Sequence, residues 1–250
     1  MKFTHAATAA ALLAAGLLAG VVQAQSPTQA NAAAAEANLR KNLEQRLPTL
    51  GKIDEVRRTP IAGLYEVRVG TDLFYADAEG NHLILNAQIL ETKSKRNLTE
   101  ERQDKLLAVD FDTLPVKDAF TIVRGNGKRK LAVFEDPNCG YCKRFEQELQ
   151  KVDNVTVYMY LYPILGPDSI DKSRNLWCSK DKGKAWQDWM VRSTAAPKAD
   201  ASCDVTALAR NREFGQKHKI TGTPTLIFTD GSRVPGAIGA ADVEKMLASK

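Results

Sequence analysis

Apolar residues recur along this chain with two different periods, and the change between them separates a first third from the rest. From Asn31 to Leu47, the leucines at 39, 43 and 47 fall four apart among Ala, Glu, Lys and Arg, which predicts an amphipathic helix closed by Pro48 and Gly51. In "GLYEVRVG", Tyr65, Val67 and Val69 alternate with Glu66 and Arg68, the period of a half-buried strand. "DLFYADAEGNHLIL" sets two apolar runs around Asp77 to Asn81 and predicts a hairpin. A helix with a small antiparallel sheet is therefore expected first. The highly charged stretch after Glu91 reads as a linker helix opening at Thr99 to Arg102, with Leu106, Leu107 and Val109 as its apolar residues.

Beyond Leu114 strands and helices alternate, starting with "KLAVFED", an apolar run of the kind found in buried strands. From Cys142 on, Phe145, Leu149 and Val152 lie at helical spacing, with Lys143, Arg144, Glu146, Gln147 and Glu148 assigned to the opposite face. "VTVYMYLYP" predicts a second strand, residues 168 to 190 a helical region and Asp204 to Lys219 another helix. The end reads as strand, tight turn at Asp230-Gly231, strand and closing helix. Trp177, Trp186 and Trp189 share one helical region and are expected in core or interdomain packing.

The N-terminus changes this picture. Met1-Lys2, an apolar stretch from Ala6 to Val22 and small residues at Val22-Gln23-Ala24 describe a cleaved secretory leader over residues 1–24 better than a transmembrane anchor. Of the 250 residues, 226 would remain, with a net charge of +4 in place of +5. Basic residues are dispersed, without the blocks that mark nucleic-acid binding. The remaining length supports a core without obligatory disulfides.

An exported chain places its cysteines, at 139, 142, 178 and 203, in an oxidising compartment. Three pairings of these four are open; the two-residue gap favours Cys139 with Cys142, which leaves Cys178 with Cys203. The CGYC motif sits where a strand gives way to a helix. Backbone N–H groups and the helix dipole there favour an anion, so Cys139 is expected to be the nucleophilic thiolate. Cys142, one turn deeper and followed by Phe145, suits a resolving thiol that attacks a mixed disulfide from inside the protein. A zinc site would need two further ligands. Cys178 and Cys203 stand singly, His5 leaves with the leader, and His82 and His218 read as surface or capping residues, so no metal is expected. A purely structural bridge rarely needs a strand–helix junction as its seat.

"FEDPNCGYCKRF" followed by "TGTPTLIF" resembles the active-site helix and Thr-cis-Pro loop of the thioredoxin fold. With the preceding helix, sheet, linker and leader, the whole mature chain resembles the DsbC/DsbG family of periplasmic disulfide isomerases, and Gly140-Tyr141 favours the DsbC branch. The resemblance implies an α+β N-terminal dimerisation domain (25–92), a linker helix (93–112) and an α/β thioredoxin-like catalytic domain with a helical insertion (113–250). It implies Cys139 and Cys142 as the catalytic pair, Gly140, Tyr141, Thr223 and Pro224 as substrate-binding residues, with Pro224 in cis, and Cys178–Cys203 as a structural disulfide in the insertion. An ordinary trans proline at a strand start is the plain alternative for Pro224. A homodimer, misoxidised exported proteins as substrates, a DsbD-like membrane thiol reductase and no cofactor complete the picture. Its rivals are a DsbG-like reductase of oxidised single cysteines and a holdase chaperone with incidental cysteines. Glu135 and Asp136 depart from the family's pattern: two carboxylates close to Cys139 oppose thiolate formation.

Overall fold

The structure, a computed structural model, describes residues 27–249. The expected leader, 1–24, lies outside the described residues. Among these no helix is long and apolar enough to cross a membrane. The chain folds as two compact units, one running through Val69 with Phe74–Leu85, the other comprising Gly70–Leu73 and Asn86 onward.

The first unit opens with α1 (Pro27–Arg46). A sheet follows in the order β1 (Glu55–Arg58), β2 (Leu64–Val69), β3 (Asp72–Asp77) and β4 (Leu83–Ile84), with β1/β2 and β3/β4 antiparallel. Leu39 and Leu43 are buried in a core with Ile53, Val56, Tyr65, Val67 and Ala76, as their spacing predicted. Leu47 is not: it falls just past the helix and is 38% exposed. Glu66, expected on the solvent face, is buried because Arg57 reaches it from the neighbouring strand, Nε to Oε1 2.9 Å. The predicted hairpin turn is present, and Gly80 takes φ +65° there. A Cβ at that position would meet Leu39 at 3.0 Å and Leu43 at 3.2 Å, so the turn is as close to α1 as glycine allows.

The second unit begins with a ribbon, β5 (Leu90–Glu91) against β6 (Arg96–Asn97), too short to carry a period and unforeseen from sequence. Helix α2 (Leu98–Leu107) follows, capped by Asn97, whose side chain accepts from the Glu100 N–H at 3.1 Å. Val109 is buried beyond it, and its N–H donates to Gly231 O at 3.0 Å.

The main sheet consists of β7 (Phe120–Arg124), β8 (Arg129–Glu135), β9 (Val155–Leu161), β10 (Thr225–Phe228) and β11 (Arg233–Pro235), in the order β11-β10-β8-β9-β7. Only β8 and β9 run parallel; the crossover between them is α3 (Gly140–Leu149). Strand β7 precedes the point at which strand–helix alternation was expected to start, and completes the sheet antiparallel to β9. Successive residues of β8 face opposite ways, Leu131 and Val133 into one core with Phe145 and Leu149 of α3, Ala132 and Phe134 into another with Tyr160 and Tyr162. The helical region over 168–190 is two helices, α4 (Pro167–Trp177) and α5 (Lys182–Arg192). Helix α6 (Thr206–Lys217) packs so closely on the sheet that a Cβ at Gly215 would lie 2.4 Å from the Tyr162 ring. Helix α7 (Ala240–Ala248) closes the chain. Trp186 is wholly buried, as expected of a core tryptophan, and His218 caps the C-terminus of α6.

Candidate functional site

The strand β8 ends at Glu135, four residues turn the chain, and α3 begins at Gly140 with Cys139 as its N-cap. At that position a side chain faces the unpaired N–H groups of the first turn. Cys139 Sγ accepts the Cys142 N–H at 3.3 Å. Cys142 occupies the third helical position, fully buried, while Cys139 retains 6% exposure. Both are free thiols.

The loop before β10 meets this helix end. The Thr223–Pro224 bond is cis, and the Thr223 carbonyl lies 3.2 Å from Cys139 Sγ. Pro224 is buried, and its carbonyl accepts from Gly236 N–H at 2.8 Å. Gly140 and Tyr141 lie on the outer side of the pair. A Cβ on Gly140 would meet nothing within 4 Å, and Tyr141 is 61% exposed with the Arg144 guanidinium 4.3 Å over its ring. Cys139, Cys142, Gly140, Tyr141, Thr223 and Pro224 thus converge on one place. Cys178, at the end of α4, and Cys203 form a disulfide with their Cα atoms 6.1 Å apart.

The two thiols are pushed in opposite directions. The Cys142 thiol donating to Cys139, helped by Thr223 and the N–H groups of Cys142 and Tyr141, outweighs burial and lowers Cys139 from 9.0 to about 5. Burial first, then the proximity of Cys139 and Glu135, pushes Cys142 up. One sulfur is an anion at neutral pH and the other a thiol.

The carboxylates that were expected to oppose this ionisation are disposed otherwise. Asp136 is buried with four donors: the N–H groups of Asn138 at 2.8 Å, Ile164 at 2.8 Å and Leu165 at 2.9 Å, and the Ser169 hydroxyl at 2.7 Å. These four bonds hold the loop in place. Glu135 is buried deep enough to be held well above the usual carboxylate range, chiefly by desolvation and then by Glu146. The charge on Cys139 is among the causes that raise it.

Sequence reasoning missed three contributors. Glu146 was assigned to the polar face of α3 but is wholly buried. Four residues on from Cys142 is only about 40° around a helix, which places it inside the apolar stripe. Its Oε1 accepts from Trp186 Nε1 at 2.8 Å. Trp189 donates through Nε1 to Pro137 O at 2.6 Å and carries Lys143 and Lys172 over its ring at 4.4 and 4.9 Å, bracing the loop from α5. Among the described residues no group of His, Cys, Asp and Glu is arranged to hold a metal ion.

Comparison with known proteins places this geometry among relatives. Residues 30–100 match the N-terminal domain of disulfide bond isomerase proteins, and residues 116–250 match a thioredoxin-like domain. A probable thiol:disulfide interchange protein DsbC from Bordetella parapertussis is 44% identical over 195 residues, covering 78% of this chain and 68% of that relative. Thiol:disulfide interchange protein DsbC from Escherichia coli K12 is 28% identical over 200 residues, covering 78% and 81%. The crystal structure of a disulfide interchange protein from Neisseria gonorrhoeae aligns with a TM-score of 0.51 at 39% identity, spanning 54% of this chain and 97% of its own.

Proposed function

The chain belongs to the DsbC family of thiol:disulfide interchange proteins, and from that membership we propose that it is a periplasmic disulfide isomerase whose working pair is Cys139 and Cys142. The observation that carries the residue assignment is the split between the two sulfurs, one a capped thiolate at the helix start and the other a buried thiol one turn below.

Cys139 attacks a non-native disulfide in an exported protein. Its electron pair forms the new S–S bond, and the client's departing sulfur leaves as a thiolate. The trapped client either rearranges to a better pairing or is released when Cys142 attacks Cys139 Sγ, oxidising the pair and reducing the client. A membrane thiol reductase of the DsbD kind then restores the dithiol. Thr223, fixed beside the sulfur by the buried Pro224 that follows it, offers backbone groups to the client's extended chain, and Gly140 and Tyr141 form the outer rim. The short Sγ-to-carbonyl distance supports this role. We assign residues 25–92 to dimerisation, 93–112 to a linker and 113–250 to catalysis. Pairing through the first domain would hold two sites over one client. No organic cofactor enters these steps.

Reactivation of scrambled ribonuclease tests the assignment. Cys139→Ser should abolish it, and Cys142→Ser should accumulate client held on Cys139. Full activity in Cys139→Ser would leave a holdase as the better reading. Reduction of single sulfenylated cysteines without reactivation would favour the reductase.

A further inference from the structure

Charged side chains stand around the CGYC loop, and the exchange steps above make no use of them. Lys143 and Arg144 belong to α3, Asp168 and Lys172 to α4. The exposed carboxylate of Asp168 is already committed: it pairs with Lys172 and accepts from Asn138 Nδ2 at 2.7 Å. Lys143 and Arg144 have no carboxylate partner among the described residues. Each lies over an aromatic ring instead, Lys143 Nζ 4.4 Å from the centre of Trp189 and the Arg144 guanidinium 4.3 Å from that of Tyr141.

The kind of partner decides what these cations can do. A carboxylate would cancel the charge, whereas a ring attracts a cation through its quadrupole and leaves the net charge in place. Both rings belong to the site. Trp189 is bonded through Nε1 to Pro137 O at 2.6 Å, two residues before Cys139, and Tyr141 lies between the two cysteines. Lys143 is one turn on from Cys139 and donates its N–H to Cys139 O at 3.1 Å. Arg144 is three residues on from Tyr141, its neighbour on the helix surface. Lys172 shares the Trp189 ring at 4.9 Å, but Asp168 balances it. Two uncancelled positive charges are thus held at the mouth of the site, one on each ring.

Resting on the assignment of Cys139 as the attacking thiol, we propose that Lys143 and Arg144 make the site selective for clients that carry Asp or Glu next to the cysteine under attack. An extended chain advances about 3.3 Å per residue, so a carboxylate one or two positions from the client's sulfur lies within about 7 Å of it along the chain. That is inside the screening length of about 10 Å at 0.1 M salt. The Thr223 carbonyl, 3.2 Å from Cys139 Sγ, sets where such a chain runs. The two cations also offset the repulsion that the Cys139 thiolate itself exerts on an acidic segment. A lysine or arginine in the same client position meets like charge and is disfavoured.

Alkylation of the mature chain by iodoacetate and by iodoacetamide separates charge from reactivity, because the thiolate fraction enters both rates equally and cancels from their ratio. At about 10 mM salt the iodoacetate-to-iodoacetamide ratio of the wild type should exceed that of the double variant Lys143→Gln, Arg144→Gln by about three- to tenfold. The gap should close near 1 M salt, where the screening length is about 3 Å. The double variant Lys143→Arg, Arg144→Lys keeps both charges and should keep the wild-type ratio. Disulfide-linked peptides with glutamate or lysine on both sides of the cysteine carry the test to clients. In a Cys142→Ser background, capture of the acidic peptide relative to the basic one should fall at least about threefold when the two charges are removed, the peptides' own reactivities cancelling in the comparison. Ratios that salt and the neutral variant leave unchanged, or that the charge-keeping variant loses as well, would overturn the proposal. Alkylation that maps to Cys142 in place of Cys139 would remove the Cys139 assignment, and this proposal with it.

Discussion

Replacing Cys142 by alanine should raise the pKa of Cys139, and by an amount that the structure bounds. The Cys139 thiol sits at about 5 instead of 9.0, and the largest contribution is the hydrogen bond from the Cys142 thiol, ahead of Thr223 and the helix N–H groups. A hydrogen bond to a charged group contributes about 1.5–3 kcal/mol, and one pKa unit corresponds to about 1.4 kcal/mol, so losing it should raise the midpoint by about 1–2 units. The 3.3 Å N–H contact of residue 142 is a backbone contact and survives the substitution. Alkylation by iodoacetamide as a function of pH reads both the midpoint and the plateau. A more basic thiolate is a better nucleophile, with a Brønsted slope of about 0.4–0.5, so the plateau at high pH should rise by about 3- to 10-fold even as the midpoint moves up. The two changes have opposite effects on the rate near pH 5 and near pH 9. The sign for stability follows from linkage. A folded-state value depressed below the unfolded one stabilises the dithiol form at alkaline pH, and this contribution is lost as pH falls through about 5 in the wild type. In the variant it should be lost at higher pH. A midpoint that stays put, or a plateau that falls, would show that the Cys142 thiol is not what acidifies Cys139.

The Cys178–Cys203 bridge closes a 25-residue interval; replacing both cysteines by alanine should cost about 3–4 kcal/mol in urea unfolding on the chain-entropy view, while the alkylation midpoint of Cys139 stays unchanged. Gly215→Ala drives a methyl group into the Tyr162 ring, 2.4 Å away, and should cost about 1–3 kcal/mol by the same measurement; a neutral result would mean that α6 can lift from the sheet without loss.

The Cys139–Cys142 pair was legible because its chemistry depends on local spacing at a strand–helix junction, and Leu39 and Leu43 because a helix writes its buried face into the sequence at four-residue intervals. Glu146 was not, because a charged letter was read as solvent-facing although its angular position lies among Cys142, Phe145 and Leu149. Geometry alone would have placed it correctly; polarity overrode it. Strand β7 carried a clear alternation, Phe120 and Ile122 inward with Thr121 and Val123 outward, but it was overlooked beside the stronger apolar run of β8. The part of the site formed by Asp136, Trp186 and Trp189 depends on contacts between residues 28 to 52 positions apart, and no local pattern announces them. The engagement of Asp136 was hidden for the same reason: distance in sequence says how near a carboxylate is, but not which donors hold it.

The four donors gathered by Asp136 bear on how portable this active site is. Two come from the turn after β9, one from α4 and one from the CGYC loop itself, and Trp189 of α5 adds a bond to Pro137. The helical insertion is therefore part of the mounting of the loop, although none of its residues needs to touch a client. A transplant of Glu135 to Phe145 into a thioredoxin-like host without the turn after β9, α4 and α5 would carry the sulfurs but leave Asp136 buried with three of its four partners gone. Exchange of the motif between such scaffolds is constrained to move loop and insertion as one inherited piece.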